Sequence, residues 1–172
     1  IDECAAAAGI DPLEYRLHLF EKWPDPAWVK CLKEVATKSG WGKELPRGQG
    51  QGIAISNWYD GKPNLGTTVA AVAHVDVSRE GQLRVLQLDV AFDCGRVLNP
   101  NAVLAQLQGG TIFALNMSVN EELNVASGRI VEGNYDTYRM LRMGDVPRQV
   151  NVHFGAVSAA DRFSEVGEPA MG

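Results

Sequence analysis

"TTVAAVAHVDVSREGQLRVLQLDVAF", residues 67–92, decides the fold. Two runs rich in β-branched residues, Thr67–Ser78 and Gln82–Phe92, meet at "REGQ", where Gly81 supplies the flexibility a tight reversal needs. This is a β-hairpin of two long strands. Upstream, "RGQGQGIAIS" (47–56) is a Gly-rich entry into another strand, and downstream "LNVASGRIVEG" (123–133) repeats the hairpin pattern with Ser127-Gly128 as its turn. Residues 149–157 make a last strand.

Between the two hairpins lies "NPNAVLAQLQGGTIFALNMSV" (99–119). Asn99 is placed to cap a helix, Pro100 fits the first helical position, and apolar residues recur at helical intervals, so this is the long central helix. Three shorter helices precede the strands. Residues 2–8 end at Gly9. Asp11-Pro12 opens a second helix running to about Lys22, and Asp25-Pro26 opens a third, whose Val29, Leu32, Val35 and Ala36 share a face until Gly40. Antiparallel hairpins with helices over one face predict an α+β two-layer sandwich built round the long central helix. A helical segment, 1–46, is expected to precede an α+β segment, 47–172.

The chain has 172 residues, enough for one domain. Sixteen Lys and Arg against twenty-one Asp and Glu leave a net charge of −5 without blocks of either sign, which argues against nucleic acid as a partner. No apolar stretch is read as reaching the ~20 residues that span a bilayer. Cys4, Cys31 and Cys94 are far apart with no Cys-x-x-Cys, and His18, His74 and His153 are scattered. A local zinc or iron–sulfur site is not expected, and each Cys is read as a small buried hydrophobe. The chain starts at Ile1 inside helix-forming sequence and stops at Gly172 in a loop, so it reads as a segment of something longer.

Three stretches could carry chemistry. "GQGQG" (48–52) precedes a strand and lacks a following Lys-Ser/Thr, so a surface turn fits it better than a nucleotide loop. In "QLQGG" (106–110), Gln106, Gly109 and Gly110 stand at i, i+3 and i+4 and share a helix face. Two adjacent glycines inside a helix cost about 1 kcal/mol each relative to Ala. Either close helix-to-sheet packing or a ligand lying against the bare backbone, beside the Gln amide, would compensate. The third is "SEVGEPAMG" (164–172), where Glu168 stands between Gly167 and Pro169. A solvated turn explains any single Gly-Glu-Pro, whereas a carboxylate between a permissive and a rigid residue can also be one that is aimed.

Taken together and in order, "AFDCGRVLNPNAVLAQLQGG" (91–110), "GNYDTYRMLRMGDVP" (133–147) and "EVGEPAMG" (165–172) resemble the C-terminal part of the molybdenum-binding large subunit of the xanthine dehydrogenase and aldehyde oxidase family. The similarity is greatest to the isoquinoline 1-oxidoreductase beta subunit group, which also has segments like "AAAAGIDPLEYRLHLF" (5–20), "SGWGKELPRGQGQGIA" (39–54) and "VAAVAHVDVS" (69–78). Whole subunits of that family are several-fold longer.

The resemblance implies a molybdenum hydroxylase that oxidises an N-heteroaromatic or aldehyde substrate with oxygen from water. Glu168 would be the base that activates that oxygen, and a partly desolvated carboxylate would serve better than a solvated one. Gln106, Gly109, Gly110 and Gly167 would contact the molybdopterin cofactor, with molybdenum held through the pterin and by no side chain of this chain. Implied partners are the remainder of the large subunit and a small subunit carrying the iron–sulfur clusters. Relatives in this group are often exported to the periplasm behind a twin-arginine leader. Gly66-Thr67-Thr68 stands where relatives often have Gly-Ser-aromatic, and Glu165 where they commonly have Gly. Two rival readings stay open: an orphaned module that folds without binding metal, and a plain structural or interaction domain.

Overall fold

The computed structural model describes residues 1–22, 26–58, 66–157 and 162–171. The elements, in order, are α1 (Asp2–Ala8), α2 (Pro12–Phe20), α3 (Pro26–Ser39), β1 (Gln49–Trp58), β2 (Thr67–Val77), β3 (Leu83–Asp93), α4 (Pro100–Val119), β4 (Val125–Ala126), β5 (Arg129–Ile130), β6 (Gln149–His153) and a closing 3-10 turn, Pro169–Met171. The expected α+β class holds.

Local signals explain most boundaries. The Asp11 side chain accepts from the backbone N–H of Leu13 at 2.8 Å and Glu14 at 3.2 Å, capping α2. Asn99 accepts from Ala102 N at 3.2 Å and caps α4 in the same way. The expected Asp25 cap lies outside the described residues. At the main hairpin, Ser78 Oγ accepts from the backbone N–H of Glu80 and Gln82, each at 3.2 Å, and Gly81 takes φ +83°. Ser127 (φ 51°) and Gly128 (φ 74°) turn the small hairpin between β4 and β5 through two left-handed residues.

The large sheet has the order β1-β2-β3-β6. β1, β2 and β3 pair antiparallel, but β6 joins the edge parallel to β3, with Leu88 opposite Val150 and Val90 opposite Val152. The sheet is therefore mixed, where hairpins alone were expected. The reason is the route between the two strands: α4 is a crossover that returns the chain to the starting end of β3. β6 also ends at His153, four residues earlier than the sequence suggests. A Cβ on Gly155 would fall 2.3 Å from Glu34 Oε1 on α3, and the chain turns there, with Val157 N donating to Phe154 O at 3.2 Å.

Helices lie over both faces of this sheet rather than one. On one face α3 sets Cys31, Leu32, Val35 and Ala36 against Ile53, Ala70, Val72 and Ala91. On the other, α4 sets Val103 and Leu107 against Val69, Val90, Phe92 and Cys94, joined by Ala170 of the closing turn. Adjacent residues on a strand point to opposite sides, so Val69 and Ala70, or Val90 and Ala91, divide between the two cores. Each fully buried Leu or Phe here contributes about 2 kcal/mol.

α4 corrects one expectation. It is 20 residues long, carries no charged side chain, and is apolar enough by length and composition to cross a bilayer. Val103, Leu107, Gly110, Thr111, Leu115 and Asn116 are nevertheless buried within the fold. Its other side leaves Phe113 and Met117 each 48% exposed.

Candidate cofactor cradle and its acidic turn

The Gly-Glu-Pro segment is strapped to the sheet before it reaches α4. Arg96 N donates to Arg162 O at 2.8 Å, Ser164 N donates to Cys94 O at 3.0 Å, and Phe163 bridges Gly95. Arg162 extends its guanidinium into the fold, donating to Gly66 O at 3.0 Å and standing 3.2 Å from Asp93 Oδ1. Asp93 is buried and also accepts from Gly95 N at 2.8 Å. A little further on, the Thr67 hydroxyl donates to Glu165 O at 2.5 Å. Cys94, beside this arrangement, is buried, and its thiol is pushed up, first by desolvation and then by the Asp93 charge, which keeps it protonated at neutral pH.

Past these straps the chain lands on α4. Pro169 and Ala170 are buried, Met171 N closes the turn onto Glu168 O at 2.9 Å, and Ala170 seats on Gly110. A Cβ on Gly110 would lie 3.1 Å from Ala170 Cβ and 3.6 Å from Met171 Cγ. Gly110 is thus compensated by close packing, though against the acidic turn and not against the sheet. Gly109 differs: it is exposed, and a Cβ there would meet nothing within 4 Å among the described residues. Gln106, one turn back, is exposed as well. Gln108, which drew no attention in the sequence, ties α4 to the sheet by donating to Val150 O at 3.1 Å.

Of the five expected residues, the structure joins Gly110 to the turn that follows Glu168. Gly110 underlies the turn that begins directly after Glu168, Gly167 precedes it, and Gln106 and Gly109 continue the same helix side. Glu168 itself is exposed, so the desolvation expected of it is not supplied by the described residues. Thr67 and Thr68 are fully buried, and Thr68 Oγ1 accepts from Asn57 Nδ2 at 2.8 Å. Their hydroxyls are committed within the protein. "GQGQG" is mostly strand: Gly50 and Gly52 lie in β1, and only Gly48, at φ +92°, belongs to a turn. Of the cysteines, Cys31 and Cys94 are buried as expected, but Cys4 is exposed on short α1. Asp93, Gly95 and Arg162 were not foreseen. The only trace of the first two was Asp-Cys-Gly directly after the expected strand, and Arg162 left none.

An uncharged helix with a bare-backbone step, met by a strapped acidic turn, defines an α+β module with an open stretch of helix backbone. Comparison with known proteins gives the particular kind. Residues 9–147 match the model of the molybdopterin cofactor-binding domain, and the chain belongs to that family. It is 32% identical to the isoquinoline 1-oxidoreductase subunit beta of Brevundimonas diminuta over 98% of this chain and 21% of the relative. It is 28% identical to the membrane-bound aldehyde dehydrogenase [pyrroloquinoline-quinone] of Gluconacetobacter polyoxogenes over 98% of this chain and 23% of that one. Among solved structures, quinoline 2-oxidoreductase from Pseudomonas putida 86 shares the fold with a TM-score of 0.56 at 23% identity, over 66% of this chain and 15% of that one. The chain therefore spans about a fifth of the length of these curated relatives. The family match includes Gln106, Gly109 and Gly110 and stops before Glu168.

The residues present fit a planar, hydrogen-bonding cofactor. No Cβ obstructs Gly109, no charge lies on α4, and the Gln106 amide both donates and accepts. Gly109→Ala separates the two glycines. With nothing to clash against, it should stabilise the isolated chain by about 1 kcal/mol through helix propensity, while lowering cofactor retention in the complete enzyme. Gly110→Ala gains the same propensity but presses on Ala170, so it should stabilise less. Urea unfolding with cofactor analysis measures both.

Proposed function

We propose that this chain is the part of a molybdenum hydroxylase that carries the acidic turn and the pterin-facing helix. The enzyme oxidises an N-heteroaromatic or aldehyde substrate with oxygen from water. The observation that supports this reading is the packing of Ala170, two residues after exposed Glu168, on Gly110 of the helix that also carries Gln106 and Gly109. Bound there, the cofactor would supply the two-electron chemistry that the protein's own side chains lack.

The residues of the chain divide the remaining work. Gln106 hydrogen-bonds the edge of the pterin, and Gly109 lets it approach the helix backbone. Gly167, exposed and without a side chain, leaves room for the cofactor beside Glu168, and buried Pro169 fixes the chain on the other side of it. Glu168 accepts a proton at a carboxylate oxygen from the water that furnishes the inserted oxygen, as a general base must from within hydrogen-bond reach. The remainder of the large subunit covers the exposed Phe113 and Met117 side of α4 and desolvates Glu168. The three cysteines here are too dispersed to hold an iron–sulfur cluster, and a separate small subunit carries the clusters.

The direct test is co-production of the chain with the rest of its subunit and the iron–sulfur partner, followed by molybdenum, pterin and quinone analysis. Molybdenum and pterin at near-equal ratio, with label from heavy-oxygen water in the product, are expected. A pyrroloquinoline quinone, as in the name of the aldehyde-oxidising relative, would overturn the assignment, as would a clean apo protein.

A further inference from the structure

We propose that Thr67 is a positioning residue: its buried hydroxyl fixes the Glu165 carbonyl and so sets where the Glu168 carboxylate stands over the twin-glycine step. This rests on reading Glu168 as the base.

The donor is on a rigid support. Thr67 is the first residue of β2, is fully buried, and pairs with Trp58 of β1. The chain just before it is tightly packed, since a Cβ on Gly66 would lie 1.9 Å from Trp58 O. Nor can its neighbour drift, because Gly66 O is held by Arg162, which is itself engaged with buried Asp93. The acceptor is 98 residues away in sequence and belongs to a segment without regular structure. A short, directional bond from strand to loop is the way a fold transfers the accuracy of its sheet to an irregular segment.

The spacing makes the bond matter. Only Val166, Gly167 and Glu168 separate the Glu165 anchor from Pro169, where the buried turn on Gly110 begins. Val166 packs into the apolar cluster with Phe92, Leu107 and Ala170, leaving Gly167 and Glu168 as the exposed pair between two fixed points. Loss of the Thr67 hydroxyl removes the hydrogen bond that fixes the Glu165 carbonyl, leaving the Ser164 N to Cys94 O bond and the packing of Val166 to hold the upstream side less exactly while the downstream turn stays. Glu168 then keeps its neighbourhood and loses its aim. A displacement of about 1 Å at a reacting group can cost about 10²-fold in rate.

The experiment uses the complete subunit with its partners and compares wild type, Thr67→Val, Thr67→Ser and Glu168→Gln. Val matches Thr in shape without the donor, and Ser keeps the donor. Expected for Thr67→Val is faster amide exchange across residues 164–168, full molybdenum and pterin content, and kcat lower by about 10²-fold with KM nearly unchanged. Thr67→Ser should match wild type in exchange and keep kcat. Unchanged exchange in Thr67→Val overturns the proposal, and so does faster exchange with unchanged kcat. Loss of cofactor or of folded protein in Thr67→Val also overturns it, by making Thr67 merely structural. Normal turnover in Glu168→Gln sinks the base assignment itself, whereas a silent Thr67→Val beside an inactive Glu168→Gln sinks only the role of Thr67.

Discussion

Glu168→Gln in the complete enzyme is expected to keep its molybdenum and pterin and to lose about 10²- to 10⁴-fold in kcat. The amide has nearly the shape of the acid but cannot take up a proton at neutral pH, so the substitution removes the proposed base and little else. Nothing that seats the turn is disturbed: Pro169 and Ala170 stay buried on Gly110, and the bond closing the turn uses the Glu168 backbone carbonyl, not its side chain. Cofactor content and kcat should therefore separate. Steady-state kinetics on protein of measured molybdenum content makes the comparison, and unchanged kcat at full loading would refute the assignment. Equal falls in content and rate would instead make Glu168 a residue that retains the cofactor.

Gly95→Ala should be among the most destabilising single-methyl additions in this chain, at about 3–4 kcal/mol. Two costs combine. Gly95 sits at φ +75°, where an L side chain costs about 1–2 kcal/mol. Its Cβ would also lie 2.3 Å from Arg162 O and 2.9 Å from Arg162 C, so backbone must move, and overpacking of this kind costs about 1–3 kcal/mol. The movement pulls on the Arg96 N to Arg162 O and Ser164 N to Cys94 O hydrogen bonds and shifts Arg162 against Asp93. Urea unfolding should show a lower midpoint with the slope preserved. Gly42→Ala is the control: Gly42 has a similar φ of +77° but no described residue within 4 Å of a new Cβ, so the backbone cost of about 1–2 kcal/mol remains. Equal losses in the two variants would show that the Arg162 contact does not matter. A corollary joins the two predictions. Gly95→Ala in the loaded enzyme should lower turnover as well, because it loosens the segment that carries Glu168.

The site was only partly legible in advance. Glu168, Gln106, Gly109, Gly110 and Gly167 could be named because the motifs around them resemble a family, and because paired glycines inside a helix need a reason. The reason itself could not be read. Gly110 makes room for Ala170, 60 residues later, and no local pattern says which distant segment will lie on a helix face. Thr67, Asp93 and Arg162 were illegible on the same ground, since a threonine that opens a strand and an arginine in a loop have no sequence signature for the carbonyl or carboxylate they will meet.

What the sequence determined by itself was everything governed by neighbours within a few residues. The Asp11 and Asn99 caps, the Gly81 and Ser127-Gly128 turns, and the helix or strand character of each segment depend on local backbone preferences and side chains within one turn of their partners. Only the tertiary structure decided that β6 runs parallel to β3, that α3 and α4 divide the two faces of the sheet, and that the acidic turn lands on Gly110. Those choices follow from which surfaces can be buried together and which long-range hydrogen bonds close, and such free energies exist only once the segments have met.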